Sequence, residues 1–242
     1  MLVAPEYTPV PQVAAVLRAR GYAIVSPAGV QQLTGCGPGE LDALLPAWDH
    51  LALDAYLRDG GRYRRRRHSC FVVQDGGVVQ APHRAHWQPV EYNALHGGLR
   101  RWFEPMLVPG DERPTWTRIF RGLGGLCSQV RGMQPWYVET HQFRIETTGG
   151  IGRPTPEGAH RDGVDFVGVF LLARHDIKGG ETRVFDAHGS GGKRFTLQEP
   201  WSLLLLDDER VIHETTPIQP TGLAGHRDTL VLTYRAGGFQ GD

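Results

Sequence analysis

Four residues in the second half of the chain have the types and the spacing of an iron centre. His160 and Asp162 are separated by one residue, His213 follows 51 residues after the aspartate, and Arg227 follows 14 residues after that. On a β-strand, residues i and i+2 lie on the same face, so His160 and Asp162 can bind one ion together. A histidine from a facing strand completes a facial triad, which leaves the other face of an octahedral iron(II) open to a cosubstrate and oxygen. Because an arginine binds a dicarboxylate in bidentate fashion, the pattern predicts an oxygenase that uses iron(II) and 2-oxoglutarate.

A second His-x-Asp motif, His226-Arg227-Asp228, has the wrong position for a metal pair. In a chain with 11 histidines and 26 acidic residues, roughly one such motif is expected by chance. Only 14 residues follow Asp228, and none of them is a histidine that could act as the distal ligand. We therefore predict that His160 and Asp162 bind the metal and that Asp228 does not.

The hydrophobic pattern predicts helices in the first half of the chain and strands in the second. Helices are expected over residues 10–20, 41–57, 91–103 and 115–127, and short strands over 22–25, 69–73 and 78–80. Further strands are expected over residues 136–147, 164–172, 181–186, 201–206 and 229–234. Many short strands predict an α+β protein with a double-stranded β-helix of the jelly-roll or cupin type, whose mouth holds a small site.

The same pattern predicts one domain over residues 1–242, because no Pro/Ser-rich linker divides the chain. Residues 1–130 are expected to form a mainly helical buttress with a few strands. Residues 131–242 are expected to form the jelly-roll catalytic core, with the helices packed against one outer face of its sheet.

The composition is that of a neutral protein without a bulk attraction to nucleic acid or membranes. Its 26 basic and 26 acidic residues balance. Cys36, Cys70 and Cys127 lack a Cys-x-x-Cys spacing and are expected to be reduced thiols. The longest apolar run, Leu203 to Leu206, is too short to span a bilayer, and the first residues lack the pattern of a signal peptide. We expect a cytoplasmic protein with a small-molecule partner, and its oligomeric state is left open.

Two charged clusters need an interpretation. The first contains Arg62 and the run Arg64 to Arg67. Such a run can follow a phosphate backbone; however, alternate residues of an extended segment face opposite ways, so we expect solvated arginines with one or two at the mouth of the active site. The second, Asp207-Asp208-Glu209, lacks the spacing of a calcium loop and is expected to be a solvated turn.

Three sequence blocks resemble those of a known family. They cover residues 154–167, 179–182 and 213–218, with weaker similarity at 64–69, 93–98 and 141–145. The blocks are similar to those of bacterial 2-oxoglutarate/iron(II) dioxygenases that hydroxylate free L-amino acids, a family that includes L-isoleucine 4-hydroxylase. The resemblance extends from about Gly21 onward. It implies that His160, Asp162 and His213 are the catalytic iron(II) ligands, that Arg227 anchors 2-oxoglutarate, and that oxygen is the second cosubstrate.

Further residues are candidates for binding the cosubstrate or the substrate. Thr229 lies two residues after Arg227 and is expected on the same face, where it can bind the same carboxylate. Gln142 and Arg144 share one face of the strand over 136–147. That face either lines the pocket, where an arginine would bind an amino acid carboxylate, or lies on the outer surface of the sheet.

The resemblance implies hydroxylation or sulfoxidation of a free L-amino acid with an aliphatic or thioether side chain. The strands over residues 164–172 and 184–185, which are rich in Val, Phe and Leu, would form the apolar wall of its pocket. Two alternatives stay open. One is a cupin-like protein that binds zinc or manganese and performs non-oxidative chemistry, and the other is a non-catalytic small-molecule-binding module on the same scaffold.

Overall fold

Antiparallel strands and a few helices make up the computed structural model, which describes residues 3–93 and 95–241. The strands are β1 (Tyr22–Val25), β2 (Arg64–Gln74), β3 (Gly77–Gln80), β4 (Trp136–Glu146), β5 (Phe166–His175), β6 (Ile177–Gly179), β7 (Thr182–Asp186), β8 (Gly192–Phe195), β9 (Leu203–Asp207), β10 (Val211–Thr215), β11 (Ile218–Pro220) and β12 (His226–Arg235). The helices are α1 (Val13–Arg20), α2 (Pro27–Thr34), α3 (Pro38–Asp42) and α4 (Arg113–Arg131), with 3-10 helices at Val10–Gln12 and Leu45–His50.

The strands form two facing layers. The major sheet has the order β1-β9-β5-β12-β4-β2-β3, and the minor sheet has the order β10-β7-β8; β11 and β6 form a separate pair. Apolar side chains of β1, β5 and β9 pack between the layers against those of β7, β8 and β10. Two antiparallel sheets packed in this way are the arrangement of a jelly roll. The predicted α+β fold with a jelly-roll core is confirmed.

The helices cover the outer face of the major sheet. In α4, Trp116, Ile119, Phe120 and Leu123 follow one helical stripe and pack into the core with the outward side chains of the sheet. The hydroxyl of Tyr234 on β12 donates to the carbonyl of Phe120, 2.9 Å away, which attaches the helix to the middle of the sheet. Within residues 3–93 and 95–241, none of the helices combines the length and the apolar content that crossing a membrane requires.

Two of the predicted helices do not form. In the segment 41–57, α3 ends at Asp42 and only a 3-10 helix follows, because Pro46 has no N–H to donate and its ring disfavours a helical residue before it. The segment 91–103 consists mainly of turns, with residue 94 outside the described residues. There Gly98 has a φ of 75°, and a Cβ on Gly97 would lie 2.4 Å from the carbonyl oxygen of Asn93. This glycine pair suits a tight turn and interrupts a helix.

The first 130 residues contribute more than helices to the fold. They supply β1, β2 and β3 of the major sheet, and β2 pairs with β4 over ten residues from Arg64 to Val73. Part of the wall that faces the minor sheet therefore lies before residue 131. That residues 1–242 form one domain stays a prediction.

Candidate active site

One cavity opens between the two layers, on the inner face of the major sheet. Side-chain alternation decides which residues reach it. From β4 and β12 these are the odd-numbered residues 139, 141, 143 and 145, and 227, 229, 231 and 233. His160, Asp162 and His213 line the same cavity.

The structure brings the three predicted metal ligands together. His160 and His213 are paired through their backbones, with N–H to carbonyl distances of 3.0 and 2.9 Å. The Nε2 atoms of His160 and His213 lie 3.9 and 3.7 Å from the two carboxylate oxygens of Asp162. These separations are too long for hydrogen bonds and suit one ion about 2.0–2.2 Å from each ligand.

The surroundings of the triad also fit a metal ion. The Nδ1 of His160 donates to the carbonyl of Gly158, 3.0 Å away, which leaves the Nε2 lone pair free for a metal. Burial raises the pKa of Asp162 and lowers that of His213 well below its usual value, because a dry site disfavours both charged forms. Burial also opposes protonation of His160, but the charges of Asp162 and Glu157 outweigh it and raise its pKa. A bound cation would relieve the cost of the buried carboxylate.

The i, i+2 spacing predicts that His160 and Asp162 lie on one strand, but neither residue lies on a regular strand. His160 forms an isolated bridge with His213, and Asp162 lies in the loop that follows. The expectation of a strand was wrong, although the two side chains reach one point.

Arg227 is a buried cation at the other side of the cavity. Its side chain projects inward from β12, the residue is 4% exposed, and its Nε has no hydrogen-bond partner among the residues that the structure describes. Burial and then the charge of Arg174 lower its pKa to about 9, so it remains charged at neutral pH. Thr229 lines the cavity two residues further along the same face. A buried guanidinium with a free donor fits the carboxylate of a dicarboxylic acid.

Comparison with known proteins agrees with this arrangement. A family model described as 2OG-Fe dioxygenase matches residues 45–233, which include the triad and Arg227. The chain belongs to the 2OG-Fe dioxygenase family. It is therefore a 2-oxoglutarate-dependent non-haem iron dioxygenase, and the cofactors of this family are Fe(II), 2-oxoglutarate and O2. The bound iron supplies the activation of oxygen, which is coupled to decarboxylation of 2-oxoglutarate.

Solved structures of similar proteins support the fold of the dioxygenase. A bsmA homologue from Methylobium petroleophilum PM1 has a TM-score of 0.91 and 50% identity, over 98% of this chain and 97% of that one. IDO from Bacillus thuringiensis has a TM-score of 0.75 and 15% identity, over 98% and 100% of the chains. The Fe(II)/(alpha)ketoglutarate-dependent dioxygenase TqaL has a TM-score of 0.67 and 19% identity, over 96% of this chain and 88% of that one. The last two show the fold alone. No curated protein matched the chain.

Asp208 holds the loop of Asp162 in place, a role that the sequence did not indicate. Its Oδ2 accepts the backbone N–H groups of Asp162, Gly163 and Val164 at 3.1, 2.7 and 3.2 Å. Asp208 lies in a turn, as expected, but it is fully buried, as is Asp207, so the expectation of solvation was wrong for these two residues and holds for Glu209. Burial and then the charge of Asp162 raise the pKa of Asp208 to about 6. The sequence signal for this role was the position of Asp208 directly after β9. A strand as apolar as β9 runs through the interior, so the residue that follows it can be buried.

Replacing Asp208 should weaken iron binding by the dioxygenase. In Asp208→Asn the amide has one acceptor oxygen instead of two and turns an NH₂ group toward the backbone donors, so the loop of Asp162 loses part of its support. We expect roughly 10- to 100-fold weaker binding, the usual effect of losing a group that orients a metal ligand. Anaerobic Fe(II) titration would measure it. The exposed neighbour provides the control: Glu209→Gln should leave the affinity unchanged, and equal losses in both variants would contradict the assignment.

Gln142 and Arg144 lie on the other face of β4, away from the cavity. Arg144 donates to both carboxylate oxygens of Asp228, at 2.8 and 2.7 Å, and to Asp49 at 3.0 Å. Gln142 is fully buried on the same outer face. Of the two interpretations left open for this pair, the structure supports the outer position. Both carboxylate oxygens of Asp228 accept hydrogen bonds from Arg144 on the outer face, so the carboxylate of the second His-x-Asp motif lies outside the metal site.

The arginines of β2 alternate between the two faces of the sheet, as its extended backbone predicts. Arg64 and Arg66 line the cavity, whereas Arg65 and Arg67 point outward, to Glu146 at 2.8 Å and to Glu104 at 2.9 Å. Arg64 forms a buried ion pair with Asp54 at 2.7 Å. The guanidinium of Arg66 lies over the ring of Phe103, 3.8 Å from its centre.

A further set of polar cavity residues was not predicted from the sequence. They are His86, Gln88, Arg101, Glu139 and His141. The first three lie in segments with little regular structure, where no periodic pattern marks a buried side chain. Glu139 and His141 lie on β4, which the pattern predicts, but on the face opposite to that of Gln142 and Arg144.

Proposed function

We propose that the dioxygenase oxidises a free L-amino acid with an aliphatic or thioether side chain, at a position beyond the α-carbon. In this proposal His160, Asp162 and His213 hold the iron(II), and Arg227 and Thr229 bind the distal carboxylate of 2-oxoglutarate. The observation that carries it is one cavity that holds the triad, the buried Arg227 and further buried arginines.

The assignment of the cosubstrate rests on charge and burial. Arg227 of β12 lines the cavity, and Thr229 lies beside it with a hydroxyl donor. A dicarboxylate bound there would satisfy the free Nε of Arg227 and extend toward the triad. Its other end would reach the metal face that the three ligands leave open.

The substrate assignment rests on a cavity wall that combines apolar side chains with arginines. Apolar side chains from three strands and the loop of the triad offer contact to a hydrocarbon or thioether group, and they are Phe143, Ile145, Val164, Val169 and Val231. Val184 and Phe185, expected in this wall, lie elsewhere: Val184 packs between the sheets, and Phe185 is 37% exposed. The arginines of the cavity offer partners for an α-carboxylate.

The test is a screen of the twenty free L-amino acids with Fe(II), ascorbate and 2-oxoglutarate. We expect a product 16 mass units heavier from several aliphatic or thioether amino acids, together with succinate. Several should react because methylene groups change the discrimination by only about 1–3 kcal/mol each. The same amino acids inside peptides serve as the comparison. Activity on peptides or nucleobases, with none on free amino acids, would refute the substrate class and leave the iron chemistry intact.

Membership of the 2OG-Fe dioxygenase family favours iron-dependent oxidation over the two alternatives that the sequence left open, and the substrate class stays a proposal. A non-oxidative zinc or manganese enzyme would have no use for 2-oxoglutarate. A non-catalytic binding module would not need three converging metal ligands. The coupled formation of succinate in the screen separates the proposal from both.

A further inference from the structure

Arg101 is a buried cation that lacks an acidic partner. The residue is 2% exposed, it lines the cavity of the triad, and its Nε has no hydrogen-bond partner among the described residues. Within that part of the chain no carboxylate forms an ion pair with it, in contrast to Arg64, which Asp54 neutralises. Burial and then the charge of Arg64 lower the pKa of Arg101 to about 10, against the charges of Asp54, Glu157 and Glu139, so it stays charged at neutral pH. A buried cation without a direct ion pair is stabilised when a ligand anion pairs with it.

A short hydrogen-bond chain connects Arg101 to the metal site. Its Nη2 donates to the Oε1 of Gln88 at 3.0 Å, and the Nε2 of Gln88 donates to the Oδ1 of Asp162 at 3.1 Å. The Nδ2 of Asn93 donates to the same Oε1 of Gln88 at 3.1 Å, which fixes the orientation of the amide. An anion on Arg101 would therefore lie two hydrogen bonds from a metal ligand, in the cavity that Asp162 also lines.

The electrostatic surroundings of Arg101 favour an anion. His96 lines the same cavity, and its pKa falls to about 4, mainly through burial. The charges of Arg64 and Arg101 lower it further, and those of Glu157 and Asp54 oppose them. Arg64 and Arg101 contribute a positive potential in this part of the cavity. The same potential stabilises a bound carboxylate.

A nearby cluster of His68, His86, Glu139 and His141 has the composition of a second metal site but not the geometry. The Oε2 of Glu139 lies 2.6 Å from the Nδ1 of His86 and 3.0 Å from the Nε2 of His68, which are hydrogen-bond lengths. Arg66 donates to the Nδ1 of His141 at 2.7 Å, so the proton of that imidazole is on Nε2 and blocks it as a ligand. The cluster is a hydrogen-bonded group. It fixes His86, whose backbone pairs with that of Arg101 at 2.9 Å in both directions.

We propose that Arg101 binds the α-carboxylate of the amino acid substrate and thereby sets the specificity for a free carboxyl group. This inference rests on the proposed function above. Gln88 and the backbone pair with His86 hold the guanidinium in position, so the carboxylate meets a prearranged donor. A substrate whose carboxyl group is an amide or a peptide bond leaves the buried charge unpaired and is rejected.

The experiment combines two variants with two forms of each substrate. For an amino acid oxidised in the screen, for example L-leucine, kcat and KM are compared with those of its amide, leucinamide. Arg101→Gln removes the charge and keeps a hydrogen-bonding side chain. Arg100→Gln is the matched control, because Arg100 is the exposed neighbour of the same type. Melting temperature and the KM for 2-oxoglutarate are measured for each protein.

The wild-type enzyme and Arg100→Gln should prefer the acid over the amide by roughly 10- to 100-fold in kcat/KM, as a lost charge-assisted hydrogen bond implies. In Arg101→Gln this preference should fall close to unity, mainly through KM for the acid, while the KM for 2-oxoglutarate is unchanged. If the glutamine variant does not fold, Arg101→Lys gives the test, since a lysine lacks the planar fork and should lower the preference only in part.

An Arg101→Gln enzyme that keeps the wild-type preference for the acid would overturn the inference. So would an equal loss for acid and amide, because that result would show a structural role. Both outcomes leave the proposed function standing. If the wild-type enzyme consumes no free amino acid, the proposed function itself is wrong and the inference falls with it.

Discussion

Asp162→Ala should abolish turnover and remove most of the iron from the protein. The carboxylate is the anionic member of the triad, and the ligands that remain are two neutral imidazoles. Loss of a partner outside the ligand set already costs about 10- to 100-fold in metal affinity. We therefore expect more than roughly 100-fold weaker binding in this variant. Anaerobic Fe(II) titration and the iron content of the purified protein measure the effect directly.

Asp228→Ala is the matched control for that result. The residue belongs to the second His-x-Asp motif, but its carboxylate points to the outer face of the sheet and accepts from Arg144. Iron stoichiometry should be nearly unchanged, while the melting temperature decreases because the ion pair is lost. Equal loss of iron in the two variants would show that the choice between the motifs is wrong.

Arg227→Ala should raise the apparent KM for 2-oxoglutarate by roughly tenfold or more. The reason is the loss of charge-assisted hydrogen bonds, each of which contributes about 1.5–3 kcal/mol. The Nε of this buried guanidinium has no hydrogen-bond partner among the described residues, so the ligand carboxylate is the partner that the variant would lose. Steady-state kinetics with varied 2-oxoglutarate, together with titration of 2-oxoglutarate into the metal-loaded protein without oxygen, give the effect on binding.

Arg144→Ala provides the comparison for the cosubstrate anchor. Its guanidinium lies on the outer face of β4, so the KM for 2-oxoglutarate should not change, although the variant should be less stable. An unchanged KM in Arg227→Ala would move the anchor to another cationic residue of the cavity. A raised KM in Arg144→Ala alone would mean that the faces of β4 are assigned incorrectly.

The sequence by itself determined the elements with strong local signals. The two-residue alternation from Trp136 predicted β4, and the nearly continuous apolar run from Val164 predicted β5. Gly21, with a φ of 76°, ends α1 where predicted. The block around His160 and the position of His213 predicted a triad whose members now lie within reach of one ion. The strand and the helix end depend on residue type and short-range spacing, and the triad depends on the type and order of its residues along the chain, all of which a sequence records.

Only the tertiary structure decided which face of each strand is the inside. Alternation placed Gln142 and Arg144 together, but it contains no information on whether that face meets the minor sheet or the helices. The packing of the minor sheet over one face and of the helices over the other settles it, and the inner face carries Glu139 and His141 instead. Asp208 and Arg101 likewise became visible only through folding. The side chain of Asp208 bonds residues 44 or more positions away, such as Val164. The partner of Arg101 is Gln88, which lies outside the helices and strands. Contacts of this kind follow from how the chain packs and not from local periodicity.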